Sequence, residues 1–119
     1  MEKLIAHRGL KQGVKENSLE AFSKAIQNDH YAGFELDIRT TKDQVFVVSH
    51  NPIVQDKIIS ISRFDDLKDS SVPTLESVLQ LPTDKIILIE IKEINIDIVK
   101  LQELLNRYAD RKIYVMSFY

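Results

Sequence analysis

Residues 85–92, with the sequence KIILIEIK, constrain the fold more than any other segment of the chain. The run is almost continuously aliphatic, which is typical of a parallel strand covered on both faces. Helical patterns are predicted on either side of it, one beginning at Pro73 and one between residues 95 and 109. Strands that alternate with helices in this way predict an α/β fold with a mostly parallel sheet and right-handed crossovers.

The remaining elements follow from shorter patterns. Strands are predicted at residues 3–6, 33–39, 44–49 and 112–118, and a short helix near residues 64–68. A longer helix is expected after Asn17, because the sequence NSLE has the form of a capping box in which Asn17 is the capping residue. The stripes expected to face the core are Leu19, Phe22 and Ile26 in this helix, Leu75, Val78 and Leu79 in the helix from Pro73, and Ile98, Leu101, Leu105 and Tyr108 in the last helix.

Length and composition limit the possible functions. The 119 residues indicate one domain, residues 1–119, and the net charge of −2 gives no reason to expect nucleic acid or an anionic membrane as partner. The chain has no cysteine, so any metal must be held by oxygen or imidazole ligands. No apolar run resembles a signal peptide or approaches the roughly 20 residues of a membrane span, which predicts a cytoplasmic protein without a transmembrane segment.

Two acids, Glu35 and Asp37, stand at alternate positions of the strand predicted at residues 33–39. Alternate side chains of a strand point to the same face, so these carboxylates, set among apolar neighbours, would repel each other. A hard cation between them would relieve the repulsion. The alternative is a surface strand with solvated acids, and this segment by itself leaves both interpretations open.

Ionisable residues end or follow four of the predicted strands. They are His7 and Arg8 after the first strand, Glu35 and Asp37 in the second, His50 after the third, and Glu90 and Lys92 at the end of the fourth. Sites in parallel α/β folds are built at the carboxyl ends of the strands, so we expect these side chains to converge. Ordinary interpretations exist for single residues, such as a strand-end ion pair for Glu90 with Lys92 or a core histidine for His7.

The residue types indicate the chemistry of such a site. Three carboxylates without any thiol suit Mg²⁺ or Ca²⁺. Arg8 and Lys92 suit an anionic substrate, since an arginine can contact phosphate through two N–H groups. Two histidines, His7 and His50, suit a general acid and a general base. Together they predict cleavage of a phosphate ester with a divalent cation.

Six linked motifs resemble the glycerophosphodiester phosphodiesterase family. They are IAHRG at residues 5–9, ENSLEAF at 16–22, ELD at 35–37 with TKD at 41–43, VVSH at 47–50, PTLE at 73–76 and IEIK at 89–92. The resemblance covers nearly the whole chain. It implies an α/β fold of the (β/α)₈ TIM-barrel type, here incomplete, with about five strands present.

The resemblance also implies an activity, the hydrolysis of small-molecule glycerophosphodiesters to an alcohol and glycerol 3-phosphate. The roles that it implies are Glu35, Asp37 and Glu90 as ligands of Mg²⁺ or Ca²⁺, His7 and His50 as the acid–base pair, Arg8 and Lys92 as phosphate-binding residues, and Asn17 as a residue that orders the loop after the first strand.

The chain departs from the family pattern in several places. Lys15 replaces a usual proline, Asn51 replaces a usual aspartate, and the segment between His50 and Pro73 is short. A full barrel needs about 250 residues, so this chain would form only part of one. The alternative function is a catalytically weak or inert half-barrel that binds metal or phosphate, or serves as an assembly module. An open, aliphatic barrel interior predicts self-association, most simply as a homodimer.

Overall fold

The computed structural model describes residues 3–67 and 70–117. The strands are β1 (Leu4–His7), β2 (Tyr31–Thr40), β3 (Phe46–Val48), β4 (Ile53–Val54), β5 (Lys57–Ile58), β6 (Ile86–Ile91) and β7 (Lys112–Ser117). The α-helices are α1 (Leu19–Gln27), α2 (Phe64–Leu67), α3 (Leu75–Leu79) and α4 (Ile98–Asn106), and a 3₁₀ turn spans Ile59–Ile61. None of the helices within the described ranges is long and apolar enough to cross a membrane.

Five strands form one open sheet around β2. Its order is β1-β2-β6-β7, all parallel, and β3 pairs with β2 outside this path. This confirms the predicted incomplete α/β barrel. The predicted ends at Lys68 and Phe118 lie outside the described residues.

β3 is the one antiparallel strand of the described sheet, which agrees with the prediction of a mostly parallel sheet. It runs antiparallel to β2, with Ile38 opposite Val48, because residues 41–45 are too few for a parallel crossover. β1 and β3 share the edge of β2 opposite β6. Since β1 is parallel and β3 antiparallel to β2, the carboxyl ends of both strands approach the middle of β2, and His7 and His50 are brought to one region by opposite chain directions.

The two faces of the central strands differ in chemistry. Phe34, Leu36 and Ile38 are opposite Ile87, Ile89 and Ile91, and all six side chains are buried in one core with residues of α1, α3 and α4. The intervening positions of β2 and β6 carry the acids Glu35, Asp37 and Glu90 on the other face. Because side chains of β2 alternate between its two faces, the acids lie on the face that points away from the helices.

Two details of the predicted helices are wrong. Ser18, and not Asn17, caps α1, since its hydroxyl accepts a hydrogen bond of 3.2 Å from Ala21 N. In α4 the buried residues are Leu101 and Leu104, whereas Ile98 is exposed. The helix begins only at Ile98, so this residue lies in its first turn, before the part of the helix that packs on the core.

A two-residue hairpin between β4 and β5 was not predicted. Gln55 and Asp56 form its turn, with φ angles of 48° and 65°. Turns with two positive φ angles usually contain glycine or asparagine, so the sequence carried no recognisable signal.

Gly33 allows β2 and β6 to pair closely. A Cβ atom at this position would lie 2.0 Å from the carbonyl oxygen of Ile86, and neither backbone can move without breaking the sheet. We expect Gly33→Ala to lower the free energy of unfolding by about 3 kcal/mol or more, beyond the usual cost of overpacking, as measured by urea denaturation. The control is Gly13→Ala, where a Cβ meets nothing within 4 Å and only the φ of 76° costs about 1 kcal/mol. Equal losses in both variants would contradict this explanation.

Candidate active site

Three buried carboxylates meet on the sheet face opposite the helices. Glu35, Asp37 and Glu90 each offer one oxygen, and these oxygens lie within 4.8 Å of one another. Asp37 and Glu90 are paired in register across β2 and β6, while Glu35 lies two residues earlier on β2. The oxygen set and its spacing could hold a divalent cation.

Two carboxylate oxygens of this cluster have no hydrogen-bond donor among the described residues. Glu35 Oε1 and Asp37 Oδ1 are buried and accept no hydrogen bond from the described residues. Burial, followed by the charge of Asp37, raises the pKa of Glu35 from 4.5 to about 8. Burial also opposes ionisation of Asp37, but the hydrogen bond from Asn17 and other contacts outweigh it, and the pKa lies below its ordinary value. A buried acid that resists ionisation beside an ionised one is a place where a cation would be stabilising.

Two basic side chains lie against the carboxylates. Arg8 Nε is 3.3 Å from Asp37 Oδ2, and Arg8 Nη1 is 3.3 Å from Glu16 Oε2. Lys92 Nζ is 3.1 Å from Glu90 Oε2 and 3.8 Å from Asp37 Oδ1. Both side chains are largely buried, with exposed fractions of 20% and 15%. Cations on either side of the carboxylates make this region able to attract an anion next to a metal.

The loop after β1 is held in an unusual backbone conformation. Arg8 has a φ of 59° and Asn17 a φ of 56°, the left-handed region that residues other than glycine seldom adopt. In this conformation Arg8 N donates to Glu35 Oε2 at 3.2 Å, and Asn17 N donates to the Arg8 carbonyl at 2.8 Å. The Asn17 side chain donates to Asp37 Oδ2 at 3.1 Å. Strained backbone that aims donors at a carboxylate is typical of a functional site.

The two candidate histidines occupy different places. His7 Nε2 lies 3.4 Å from Glu35 Oε2, and its side chain is 60% exposed. His50 is exposed on the loop after β3, next to Ser49, whose N–H donates to the Asp37 carbonyl at 2.9 Å. His50 and Asn17 line the same cavity of about 270 Å³. The structure thus brings His7 into contact with the carboxylates and places His50 at an adjoining cavity.

Two contributors to the site were not recognised in these roles from the sequence. Asn17 was expected to cap α1 and, from the resemblance, to order the loop after the first strand; it does not cap the helix, its N–H donates to the Arg8 carbonyl in that loop, and its side chain supports Asp37. Glu16 holds the Arg8 guanidinium through Nη1, whereas Asp37 contacts Nε. Both belong to the segment ENSLE, whose similarity to a capping box concealed the alternative use. Whether these residues cap the helix or contact the site depends on how close the loop lies to β2. The spacing of residues in the sequence does not reveal that distance.

Comparison with known proteins shows to which family the chain belongs. The sequence profile described as the glycerophosphoryl diester phosphodiesterase family matches residues 7–117. The chain belongs to this family. A curated glycerophosphodiester phosphodiesterase of Bacillus altitudinis is 32% identical over a match that covers 71% of this chain and 42% of that protein. This chain therefore spans less than half of that relative's length.

Solved structures of the family show the same fold. A glycerophosphodiester phosphodiesterase from Thermotoga maritima is 34% identical, with a TM-score of 0.76 over 99% of this chain and 55% of the other. A phosphodiesterase from Oleispira antarctica, solved with the product sn-glycerol-3-phosphate, is 20% identical, with a TM-score of 0.83 over 100% of this chain and 58% of the other. At that lower identity the similarity shows the fold.

The raised pKa of Glu35 predicts a pH dependence of metal binding. A cation that used Glu35 as a ligand would have to displace its proton, since burial and the charge of Asp37 raise the pKa of Glu35 to about 8. Affinity for Ca²⁺ should therefore rise by up to about tenfold per pH unit from about pH 6 and level off above about pH 8. Calorimetric titrations in buffers of different ionisation enthalpy would also show release of close to one proton at the lower pH. Affinity that does not change with pH would show that Glu35 is not a ligand.

Proposed function

We propose that the chain is a metal-dependent phosphodiesterase that hydrolyses glycerophosphodiesters to an alcohol and glycerol 3-phosphate. The observation that carries this proposal is the cluster of Glu35, Asp37 and Glu90 with Arg8 and Lys92 against it. We further propose that residues 1–119 act as one domain of this family. The cytoplasmic location stays a prediction from the sequence.

The residues present fit a divalent cation. Glu35, Asp37 and Glu90 would hold it. Glu35 Oε1 and Asp37 Oδ1, which are buried and accept no hydrogen bond from the described residues, are the oxygens that such a cation would stabilise most. Oxygen ligands alone suit Mg²⁺ or Ca²⁺. When bound, such an ion would neutralise charge on a phosphate oxygen and polarise the phosphorus–oxygen bonds.

The protein side chains would bind the substrate and move protons. Arg8 and Lys92 would hold the anionic phosphate, since both place their cationic ends beside the carboxylates. His7 and His50 would share the proton transfers: one removes a proton from the attacking water, and the other gives a proton to the departing alcohol oxygen. Water adds to phosphorus as the bond from phosphorus to that oxygen breaks, which yields the alcohol and glycerol 3-phosphate.

The proposed substrate class comes from the relatives. The curated protein of Bacillus altitudinis is named a glycerophosphodiester phosphodiesterase, and the Oleispira antarctica structure holds sn-glycerol-3-phosphate as product. In this chain the cavity beside His50 extends to Ile53 and Val54 of the hairpin. This cavity is the proposed place for one of the two substituents of the phosphate.

The experiment is an assay of this chain with a glycerophosphodiester and added Mg²⁺ or Ca²⁺, in which release of glycerol 3-phosphate is measured. We expect turnover that is abolished by a chelator and restored by the cation. A protein that is folded and binds metal, yet releases no glycerol 3-phosphate, would exclude the catalytic proposal.

A second function class has an observation of its own in its favour. Ile5, Tyr114 and Met116 are exposed apolar side chains on the same sheet face as the carboxylates. An assembly module that retains metal or phosphate binding without rapid turnover would also explain this surface. Metal binding and self-association in a chain without activity would favour this class.

A further inference from the structure

A second cavity, separate from the one beside His50, adjoins the carboxylates through Lys92. Its volume is about 520 Å³, which is typical of a small-molecule site. Within the described ranges no residue lines both cavities. Its walls come from the turn between β2 and β3, the 3₁₀ turn and the loop between β6 and α4. We call it the Thr40 cavity, and the lining residues that matter most are Thr40, Lys42, Ser60, Lys92, Glu93 and Asn95.

Hydrogen bonds between these segments fix the walls of the Thr40 cavity. Thr40 N donates to Glu93 Oε1 at 2.6 Å, which ties the loop after β6 to the end of β2. Lys42 N donates to the Ser62 carbonyl at 2.8 Å, which ties the turn after β2 to the residue that follows the 3₁₀ turn. A site whose walls are held in place before binding loses little freedom when a ligand enters.

The hydroxyl of Thr40 has no partner among the described residues. Thr40 is 9% exposed, and its Oγ1 is buried without a hydrogen bond to any of them. The hydroxyl of the neighbouring Thr41, by contrast, donates to Asp43 Oδ1 at 2.6 Å and accepts from Val45 N at 3.0 Å. A buried hydroxyl without a hydrogen bond is costly, so Thr40 suits a ligand that brings a hydrogen-bonding group into the cavity.

The uncharged side chains of the cavity match a ligand with several hydroxyl groups. Thr40 and Ser60 carry hydroxyls, and Gln44 and Asn95 carry amides. Hydroxyls and amides both donate and accept hydrogen bonds, as the hydroxyls of a polyol do. The lining therefore offers complementary partners to each hydroxyl of such a ligand.

The charged side chains give the cavity no excess of negative charge with which to hold a cation. Two lysines, Lys42 and Lys92, line it together with one acid, Glu93. Glu93 already accepts a hydrogen bond from Thr40 N, and Lys92 Nζ lies 3.1 Å from Glu90 Oε2. Since electrostatic complementarity selects among partners, a neutral ligand fits this balance better than a cationic one.

We propose that the Thr40 cavity binds a neutral, polyhydroxylated head group, and that Thr40 helps to determine this specificity. The inference rests on the proposed function for the position of the phosphate beside Lys92. The cavity beside His50, of about 270 Å³, is the smaller of the two and takes the glycerol substituent, so the larger Thr40 cavity takes the head group.

Binding of the head group alone can be measured without turnover. The probes are myo-inositol, a neutral polyol, and choline, a cation, at equal millimolar concentrations and matched ionic strength, with a chelator present. The readout is the set of amide NMR signals of Thr40, Glu93 and Asn95. We expect inositol to shift these signals and choline to leave them unchanged. Unchanged signals with inositol, or larger shifts with choline, overturn the proposal.

Thr40→Val separates a ligand-binding hydroxyl from a structural one. Valine keeps the shape of the side chain and removes only the hydroxyl, so the urea midpoint of the ligand-free protein should stay the same or rise. The Kd for inositol should rise by about 3- to 10-fold, the scale of one lost hydrogen bond. A lower urea midpoint or an unchanged Kd overturns the proposal.

Thr83→Val is the matched control. Thr83 Oγ1 accepts a hydrogen bond of 3.0 Å from Lys85 N, and Thr83 does not line the Thr40 cavity. This variant should lower the urea midpoint and leave the Kd for inositol unchanged. A rise of the Kd in Thr83→Val equal to that in Thr40→Val would place the effect outside the cavity and overturn the assignment.

Two substrates separate this inference from the proposed function. In Thr40→Val we expect kcat/KM to fall by about 3- to 10-fold for glycerophosphoinositol and to stay unchanged for glycerophosphocholine. An equal fall for both esters would assign the cavity to the glycerol substituent and overturn the proposal. A chain that binds inositol at Thr40 but hydrolyses neither ester retains the polyol site and loses the proposed function. Hydrolysis of both esters with equal kcat/KM, without binding of inositol, retains the function and overturns the polyol site.

Discussion

Replacement of Glu35 by glutamine is expected to weaken Ca²⁺ and Mg²⁺ binding by about 100-fold or more and to stabilise the metal-free protein. The first effect follows from the loss of a proposed ligand, since losing even a supporting residue of a metal site can cost 10- to 100-fold in affinity. The second follows from the removal of a carboxylate that burial and Asp37 make difficult to ionise. Weaker metal binding together with a more stable metal-free protein would show that Glu35 acts as a ligand and not as a structural residue.

The stability effect has a defined pH dependence. The pKa of Glu35 is raised from 4.5 in the unfolded chain to about 8 in the folded protein, so the folded state holds the proton more tightly. The contribution of Glu35 to stability is therefore greatest below pH 4.5 and is lost progressively as the pH rises to about 8. Near pH 8 the free energy of unfolding of Glu35→Gln should exceed that of the wild-type protein by about 0.5–2 kcal/mol, and near pH 4.5 the two should be similar. Urea unfolding in the presence of a chelator measures this difference.

A matched variant controls for the loss of an acid in general. Glu103→Gln changes an exposed residue of α4, so it should leave both metal affinity and stability nearly unchanged. Calorimetric titration of both variants with Ca²⁺ and Mg²⁺ makes the comparison. Equal metal affinity in the wild-type protein and in Glu35→Gln would remove Glu35 from the proposed ligand set.

Loss of either proposed acid–base residue should lower turnover of a glycerophosphodiester by about 100-fold or more, the usual scale for such a group. The variants are His7→Ala and His50→Ala, and kcat is measured at saturating metal. The chain has one further histidine, His30, which is exposed in the loop between α1 and β2. His30→Ala should retain full activity.

Metal affinity separates a catalytic role from a structural one in this experiment. His7 contacts Glu35, so a purely structural role would appear as weaker metal binding together with lower activity. We expect unchanged affinity and reduced kcat. A His50→Ala variant with the kcat of the wild-type protein would exclude His50 from the mechanism.

Local patterns predicted most of the elements correctly because the strands and helices here follow the periodicity of burial. The alternation of β2 placed Glu35 and Asp37 together on one face, and the aliphatic run of β6 brought Glu90 beside them. The predicted stripe of α3 is fully buried. In α1, Phe22 is buried, and Leu19 and Ile26 are partly buried against the same core.

The failures share a physical cause, which is dependence on distances between segments. The exposure of Ile98 depends on where α4 begins relative to the core, and the helical period does not give that position. Asn17 had two possible partners, the helix end and Asp37, and both satisfy local rules. The positive φ angles of Gln55 and Asp56 are imposed by the hairpin and are unusual for these residue types. A single sequence contains none of these distances.

The position of β2 at the centre of the sheet determines how the site can come apart. β2 pairs with β1, β3 and β6, the strands that lead to His7, to His50 and to Glu90. Local openings of a folded protein start at termini and loops, whereas central strands separate only when the whole domain unfolds. The amides that hold the carboxylates in register should therefore be among the slowest in the chain to exchange with solvent hydrogen. We therefore expect the carboxylate cluster to persist for as long as the whole domain stays folded.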